Sequence, residues 1–340
     1  MAVLSDLRIV VSDATTQQLR FFSPAGVHER TVGGRGSGPG EYRALGSIAV
    51  TAGDTLLIPD RLNLRLNRVA PDGRWLESFR VDPEQWPGLW RQTPSGRLAS
   101  TVSVASYVLV GEEPTLTPIV SRTAKGLISD TLGWLPPYGF YSVSGGAQQF
   151  RYYPGEPSFC LPWDGGLVTA HGDPYEFKRY DAAGKLVQVV RLFRENQPIT
   201  DRDRELLFAR LEALVKARNL PPEQFAQRKS WTSFTDTYPA FRRFACGPSG
   251  TIWVQQVRPW TALTPEELDV ASIAGTPPDS RDWDVFDAGG RYLGVVTMPA
   301  RFQLWLFRGD VIYGVGRDEL DVEYVVGLRI EGLPQEAQGG

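Results

Sequence analysis

Five segments of the chain repeat one pattern: "LRFFSPAGVHERTV", "LNRVAPDGRWLESF", "IVSRTAKGLISDTL", "FKRYDAAGKLVQVV" and "WDVFDAGGRYLGVV". In all five the turn glycine holds the same place, at Gly26, Gly73, Gly126, Gly184 and Gly290. Such a glycine supplies the positive φ that a short hairpin loop demands. A second hairpin unit precedes each of them: "LSDLRIV", "VTAGDTLLI", "QTPSGRLAS", "LPWDGGLVT" and "CGPSGTIWV". A sixth copy follows as "LFRGDVIYG". Two hairpins per repeat make four antiparallel strands, and six repeats predict an all-β, six-bladed β-propeller over residues 1–333. The last repeat shows only three strand-like runs, "RFQLWLF", "VIYGVGR" and "EYVVGLRIEG". Either the last blade has three strands, or residues upstream of Met1 supply its fourth; the second is the expectation, with three strands in this chain. Residues 334–340 read as a disordered tail.

One stretch invites a different interpretation. In "VGGRGSGPGEY", residues 32–42, Gly34, Gly36, Gly38 and Gly40 fall at every second position. A phosphate cradle needs a helix opening directly after its glycines, and amides free to hold the ligand. Here a hairpin-like run follows, no Gly-Lys-Ser/Thr closes the loop, and Pro39 removes one amide donor. The segment reads as a tight connection between two sheets.

Composition narrows the partners. The formal charge is −3 with both signs well mixed, which argues against a nucleic-acid footprint. No run of some eighteen apolar residues occurs, so no transmembrane helix is expected, and no basic-then-apolar signal peptide opens the chain. The two cysteines, Cys160 and Cys246, each sit in a strand-like run and read as buried apolar side chains in preference to the alternative, a bridge. The compartment stays open on these grounds, and so does the oligomeric state.

Propeller geometry sorts the loops. With the strands of a blade lettered a to d from the axis outward, the a–b and c–d turns share one face. The b–c loops and the d-to-a connections share the other. All eleven hairpin turns of the two repeat units fall on the first face, and all are short. The long segments fall on the second, with insertions at about 136–157, 194–240 and 258–281 and a long b–c loop carrying Glu112 and Glu113. Loops of this length in a compact domain are usually functional or disordered, and aromatic-rich ones are poor candidates for disorder. They carry Tyr138, Phe140, Tyr141, Phe150, Tyr152, Tyr153, Trp231, Phe234, Tyr238 and Trp260. Either these rings form a contact surface or they pack the insertions onto the propeller. Within the insertion between blades four and five, "TDRDRELLFARLEALVKARN" predicts a helix capped by Thr200 with Asp203 three residues on. Its apolar face would be Leu207, Leu211, Leu214 and Val215. "LTPEELDVA" predicts a shorter helix with Thr264 as cap and Pro265 at its first position.

The second strand of each blade delivers its last residues to the elaborated rim: Asp13, Asp60, His171 with Asp173, Arg258 and Asp318. With Asn63, these could orient a ligand, or the carboxylates could hold a calcium ion. For Asp13 and Asp60 the plainer role is to cap their own b–c turns. Trp231, Tyr141, Tyr152 and Trp260 complete the candidate partner-binding set.

Residues 10–79 resemble the bacterial six-bladed, NHL-repeat-like propellers. The resemblance rests on "IVVSD" to Asp13, the "SPAG" turn, the "GRGSGPGEY" connection, and "LLIPD" to Asp60 followed by Asn63 and Arg65. Many such relatives are exported or lipid-anchored, so an exported protein is implied. Lactonase-like propellers of similar shape hold a divalent metal with inward Glu, Asn and Asp. The inner strands "SIAV", "FCLPW", "RFACG" and "QLWLF" offer few of these. No nucleophile motif is present. The expectation is thus a non-catalytic binding or assembly module, without cofactor, that engages a protein or peptide partner through its aromatic-rich face. The alternative is a calcium-type hydrolase or lyase with its site at the channel mouth.

Overall fold

The computed structural model describes residues 1–93, 96–102, 108–109, 116–136, 141–144, 147–273 and 278–332. Blade one is β1 (Ala2–Val3), β2 (Ile9–Asp13), β3 (Gln18–Phe22) and β4 (His28–Gly33). Blade two is β5 (Ala49–Thr51), β6 (Thr55–Asp60), β7 (Arg65–Val69) and β8 (Trp75–Arg80). Blade three begins with β9 (Pro87–Gln92) and β10 (Leu98–Val102). Its b–c loop contributes β11 (Val108–Leu109), after which β12 (Thr117–Arg122) and β13 (Ile128–Leu135) complete it. The next connection forms β14 (Tyr141–Ser144) and β15 (Ala147–Tyr152). Blade four is β16 (Ser158–Cys160), β17 (Leu167–Ala170), β18 (Glu176–Tyr180) and β19 (Leu186–Arg191).

The long insertion then supplies α1 (Asp201–Ala217), α2 (Pro222–Ser230) and β20 (Thr232–Phe234). Blade five is β21 (Arg243–Cys246), β22 (Ile252–Val257), β23 (Asp279–Phe286) and β24 (Tyr292–Thr297), with α3 (Pro265–Val270) in its b–c loop. Blade six is β25 (Phe302–Arg308), β26 (Val311–Arg317) and β27 (Glu323–Arg329), three strands as expected. Every pairing within the blades is antiparallel. The five turn glycines all adopt positive φ, from 78° to 87°. At Gly126 the requirement is double, because a Cβ would also run into Leu66 and Leu57 of blade two.

The core is divided into slices between neighbouring sheets, because each blade buries a face against the next. Val10, Leu19 and Phe21 of blade one pack with Leu56, Ile58 and Val69 of blade two. Leu57 and Leu66 meet Trp86 and Leu98, and Ala99 and Ile119 meet Phe159 and Leu167. Val168 and Phe177 meet Phe244 and Val254, and Trp253 and Val285 meet Ile312. The ring closes where Met1, Val3 and Ile9 pack against Leu306, Tyr313 and Val325. Six slices join six blades.

One expectation needs correcting, and one feature was not anticipated. Cys160 and Cys246 are not independent apolar side chains but a disulfide, with a Cα–Cα distance of 5.6 Å across a sequence separation of 86. It ties the inner strands of blades four and five, the two blades separated in sequence by the helical insertion. The insertions, moreover, share a sheet of their own, ordered β11-β14-β15-β20, in which β11–β14 and β15–β20 run parallel. Strands from three separate segments build it, so no local sequence pattern announces it. The 334–340 tail lies outside the described residues.

Candidate functional site

The glycine-rich connection between blades one and two is held from below by side chains of the β6–β7 turn. Arg65 donates to the carbonyls of Ser37, Gly38 and Glu41 at 2.9, 3.0 and 2.7 Å. Asn63 donates to Gly36 O at 3.1 Å and accepts from the Ser37 hydroxyl. Four of the loop amides are already used: Gly36 N donates to Tyr42 O, Glu41 N to Gly38 O, Tyr42 N to Gly34 O, and Gly38 N to the Glu41 carboxylate. Carbonyls face the cations and the amides face inward, the reverse of an anion cradle. Asp60 anchors the assembly. It is fully buried, accepts from the amides of Arg43 and Ala44 and from Asn63 at 2.6 Å, and lies 3.6 Å from Arg65. Burial first, and the neighbouring Asp60 charge second, push the Tyr42 hydroxyl up to about 12.

The other rim residues are engaged in the same way. Asp13 accepts from the amides of Thr15 and Thr16 and pairs with Arg20 at 2.8 Å. Burial works to raise its pKa, but these donors outweigh it and hold the carboxyl below its usual range. Asp318 accepts from the amides of Leu320 and Val322 and from the Tyr324 hydroxyl, and the Val322 amide leads in lowering its pKa. Asp173 accepts from Asn196 at 3.3 Å, beside the half-buried His171. Arg258 makes two 2.7 Å bonds to Glu267 of α3. The carboxylates of Asp13, Asp60, Asp173 and Asp318 come from four different blades and each serves its own turn or neighbour. No group of three His, Cys, Asp or Glu converges among the described residues. The donor set does not fit a calcium centre.

The aromatic-rich insertions assemble into a small core of their own. Tyr152, Tyr153, Ile199, Leu207, Tyr238 and Trp260 are buried together, with Phe150, Phe208 and Phe234 packed around them. Helix α1 forms as its pattern predicts. Thr200 and Asp203 make the capping box, and Leu207, Leu211 and Val215 face inward, with Leu214 at the margin. Asp203 also accepts from the Thr261 amide at 2.9 Å, binding α1 to the blade-five loop. Thr264 caps α3 with Pro265 at its first position. Trp260 is 0% exposed, and Tyr152 is likewise buried with its hydroxyl donating to Ile273 O. Neither can serve as a surface anchor, because the rings are spent on fixing the insertions to the propeller. Trp231 ends α2 half-buried, its carbonyl accepting from Phe150 N at 2.7 Å. Tyr141 begins β14; its side chain, like Glu112, Glu113, Tyr138 and Phe140, lies outside the described part of the structure.

Among the described residues the elaborated face carries an open cleft of about 450 Å³ near the junction of blades one, two and three. Its wall includes Gln17 from the b–c turn of blade one, Arg43 from the next connection, Arg61 from the b–c turn of blade two, and Trp86 and Trp90 leading into blade three. Gln17 is fixed by accepting from Leu45 N at 2.8 Å. Behind the tryptophans lies Arg122, buried, donating to Ser100 Oγ, Gly126 O and Gln85 O, with its guanidinium 5.5 Å from the Trp90 ring. Burial lowers its pKa to about 10. Arg122 thus clamps the chain on both sides of Trp86. Arg43 and Arg61 are exposed and, among the described residues, have no hydrogen bond or ion pair from their guanidinium groups. A smaller cleft, about 320 Å³, lies among the a–b turns on the opposite face, where Asp54 is taken up by Ser5.

Sequence patterns did not single out Arg43, Arg61, Trp86 or Trp90. They come from three separate connections, and only the blade geometry brings them to one wall. A further node, Asp284, was also missed. It is fully buried and accepts from Arg194, Tyr175, Tyr292 and Gln256.

The fold and the comparisons agree. The family DUF5128, described as a 6-bladed beta-propeller, matches residues 3–64, and the chain is a six-bladed β-propeller. No curated protein matches it. Among solved structures, a member of the duf4221 family from Bacteroides vulgatus is 10% identical with a TM-score of 0.52, over 95% of this chain and 90% of that one. That likeness shows the fold alone. Virginiamycin B lyase from Staphylococcus aureus is 9% identical with a TM-score of 0.44, over 92% of this chain and 75% of that one. A gluconolactonase from Xanthomonas campestris is 12% identical with a TM-score of 0.43, over 92% and 80%. At these values neither bears on the activity of this chain.

Proposed function

We propose that the protein is a non-catalytic binding or assembly module that takes a protein or peptide partner on its loop-elaborated face. The observation that carries this is the asymmetry of the two faces. One bears only tight turns. The other carries every long segment, stiffened by a dedicated aromatic core, and, at blades one to three, an open cleft lined by the unpaired Arg43 and Arg61. Rigid scaffolds with elaborated loops on one side are how binding surfaces are commonly built. The Cys160–Cys246 disulfide supports work in an oxidising compartment, since such bonds persist there. Among the described residues no helix is long and apolar enough to cross a membrane.

Masking one face at a time tests the reading. Both native cysteines are in the disulfide, so a new exposed cysteine can be labelled selectively. Peptides selected from a random library on the unmodified protein would be titrated against S47C and A183C, each carrying a polyethylene glycol chain. Ser47 lies on the elaborated face and Ala183 on a c–d turn of the opposite face, both exposed. The label at position 47 should abolish binding and the label at 183 should leave it intact. The reverse pattern would place function on the turn face.

A further inference from the structure

The cleft between blades one, two and three has a definite chemistry, and it specifies the partner more closely than the asymmetry of the faces does. Two exposed guanidinium groups, Arg43 and Arg61, enter it from two different connections. Several arginines of this surface are matched: Arg20 with Asp13, Arg258 with Glu267, Arg242 with Glu156 and Asp279, Arg317 with Asp321 and Glu323. Exposed Arg35 and Arg80 are, like Arg43 and Arg61, without an ion pair among the described residues, but of these four Arg43 and Arg61 are the two that line the cleft. Of the two carboxylates close to Arg43 and Arg61 in sequence, Asp60 is sealed inside and takes bonds from Arg43 N, Ala44 N and Asn63, and Glu41 is turned to the Gly38 amide and does not line the cleft. No acidic side chain lines the cleft among the described residues. Behind the tryptophans, outside the lining, lies a third positive group, Arg122, which is buried and bonded to a hydroxyl and to carbonyls. The charged groups lining the cleft are thus positive, and because Arg43 and Arg61 are exposed their attraction for a ligand is screened by salt.

The apolar component is equally specific. Trp86 and Trp90 lie four residues apart, with the Gln85 carbonyl tied to Arg122 and the Trp90 ring against the same guanidinium. The pair is fixed before any ligand arrives, so little ordering cost falls on binding. Planar guanidinium forks suit carboxylates, and a fixed indole wall suits a flat or branched apolar group.

We propose that this cleft seats an acidic segment of a peptide partner, with carboxylates paired to Arg43 and Arg61 and an apolar side chain laid against the half-buried Trp90 and the one edge of Trp86 that the core leaves open. The proposal rests on the binding-module reading and names the chemistry of its partner. Arg43 and Arg61 set specificity, while Arg122 positions the tryptophans.

The test uses the full chain and a fluorescein-labelled probe pool of Glu- and Asp-rich hexapeptides, each with one Phe or Leu, read by anisotropy. Control pools carry Lys in place of the acids, or Gln in their place. Acidic probes should bind, and raising the salt from about 50 to 500 mM should weaken them roughly tenfold or more. R43E and R61E should each weaken them about tenfold, with far-UV circular dichroism and Tm unchanged because neither side chain holds the fold together. Equal binding of the Lys or Gln pools, or full binding by the R43E/R61E double variant, overturns the acidic-segment proposal and leaves the peptide-module reading standing. No peptide binding from any pool at about 1 mM overturns both. Binding of a small aryl carboxylate such as phenylacetate, without any peptide, would also overturn both and make the cleft a small-molecule site.

Discussion

Replacing Cys160 and Cys246 together with alanine is expected to lower the unfolding free energy by roughly 4–5 kcal/mol. The estimate follows from the loop-closure entropy of a crosslink spanning a sequence separation of 86. For a chain of 340 residues that amounts to about 6 °C in Tm. The physical reason lies in the layout of the ring. Blades four and five are joined through a long helical insertion, so the unfolded chain gains more freedom there than at any short connection. The bond sits beside their shared core slice of Val168, Phe177, Phe244 and Val254. Wild-type protein in dithiothreitol should melt with the double variant. Identical melts for oxidised and reduced wild type would show that the crosslink does not stabilise the ring.

The second large effect is expected at Asp284. Its carboxylate takes two bonds from Arg194, at 2.9 and 3.2 Å, and one each from Tyr175 at 2.8 Å, Gln256 at 3.0 Å and Tyr292 at 3.0 Å. It thereby joins blade four, blade five and the root of the insertion in one network. Burial, then the Asp284 charge and hydrogen bond, raise the Tyr175 hydroxyl well above its ordinary value, and the bond to Asp284 leads in raising Arg194. Asp284→Ala leaves the buried Tyr175 hydroxyl and Gln256 without their acceptor and Arg194 without its counter-charge. Removing one member of a buried pair costs about 3–5 kcal/mol. The lower end applies here, because Arg194 can turn to solvent. About 3 kcal/mol, or roughly 4 °C, is expected by urea or thermal melts. Asp284→Asn should lose less, since an amide oxygen still accepts. Equal losses for the two variants would mean that shape, and not the network, is what Asp284 supplies.

The two cases also show where sequence reading stops. The blades were legible because each hairpin is local: a glycine such as Gly184 marks its own turn, and strand patterns flank it within a dozen residues. Helix α1 was legible for the same reason, since Thr200 and Asp203 cap it three residues apart. The disulfide was not, although a signal existed. Both cysteines end the inner strand of consecutive blades, so the repeat alignment itself places them side by side. The insertion sheet was out of reach, because β11, β14, β15 and β20 come from three distant segments. The aromatic residues of the insertions advertised themselves in the sequence, yet burial assigns Trp260 and Tyr152 to internal packing. The cleft is the mirror case. Arg43, Arg61, Trp86 and Trp90 carry no motif, and only the closure of three blades gathers them.

Asp13, Asp60 and Asp318 illustrate a further limit. A strand ending in Asp at the rim of a propeller looks the same in sequence whether the carboxylate faces a ligand or its own turn. In this chain the following amides claim Asp13 and Asp318, and the preceding connection claims Asp60. The choice depends on backbone that the local pattern does not specify.

The central claim is that the elaborated face, at the cleft of blades one to three, is where a partner sits. Amide hydrogen exchange of the full chain, with and without a saturating selected peptide, tests it most directly. Slowed exchange is expected at residues 43–47, 61–65 and 86–92, with the turns at Gly26, Gly73 and Gly184 unchanged. Protection centred instead on the exposed apolar outer strands β19 and β24, where Val187, Val189, Leu293 and Val295 lie open to solvent, or on the a–b and c–d turns, would contradict it.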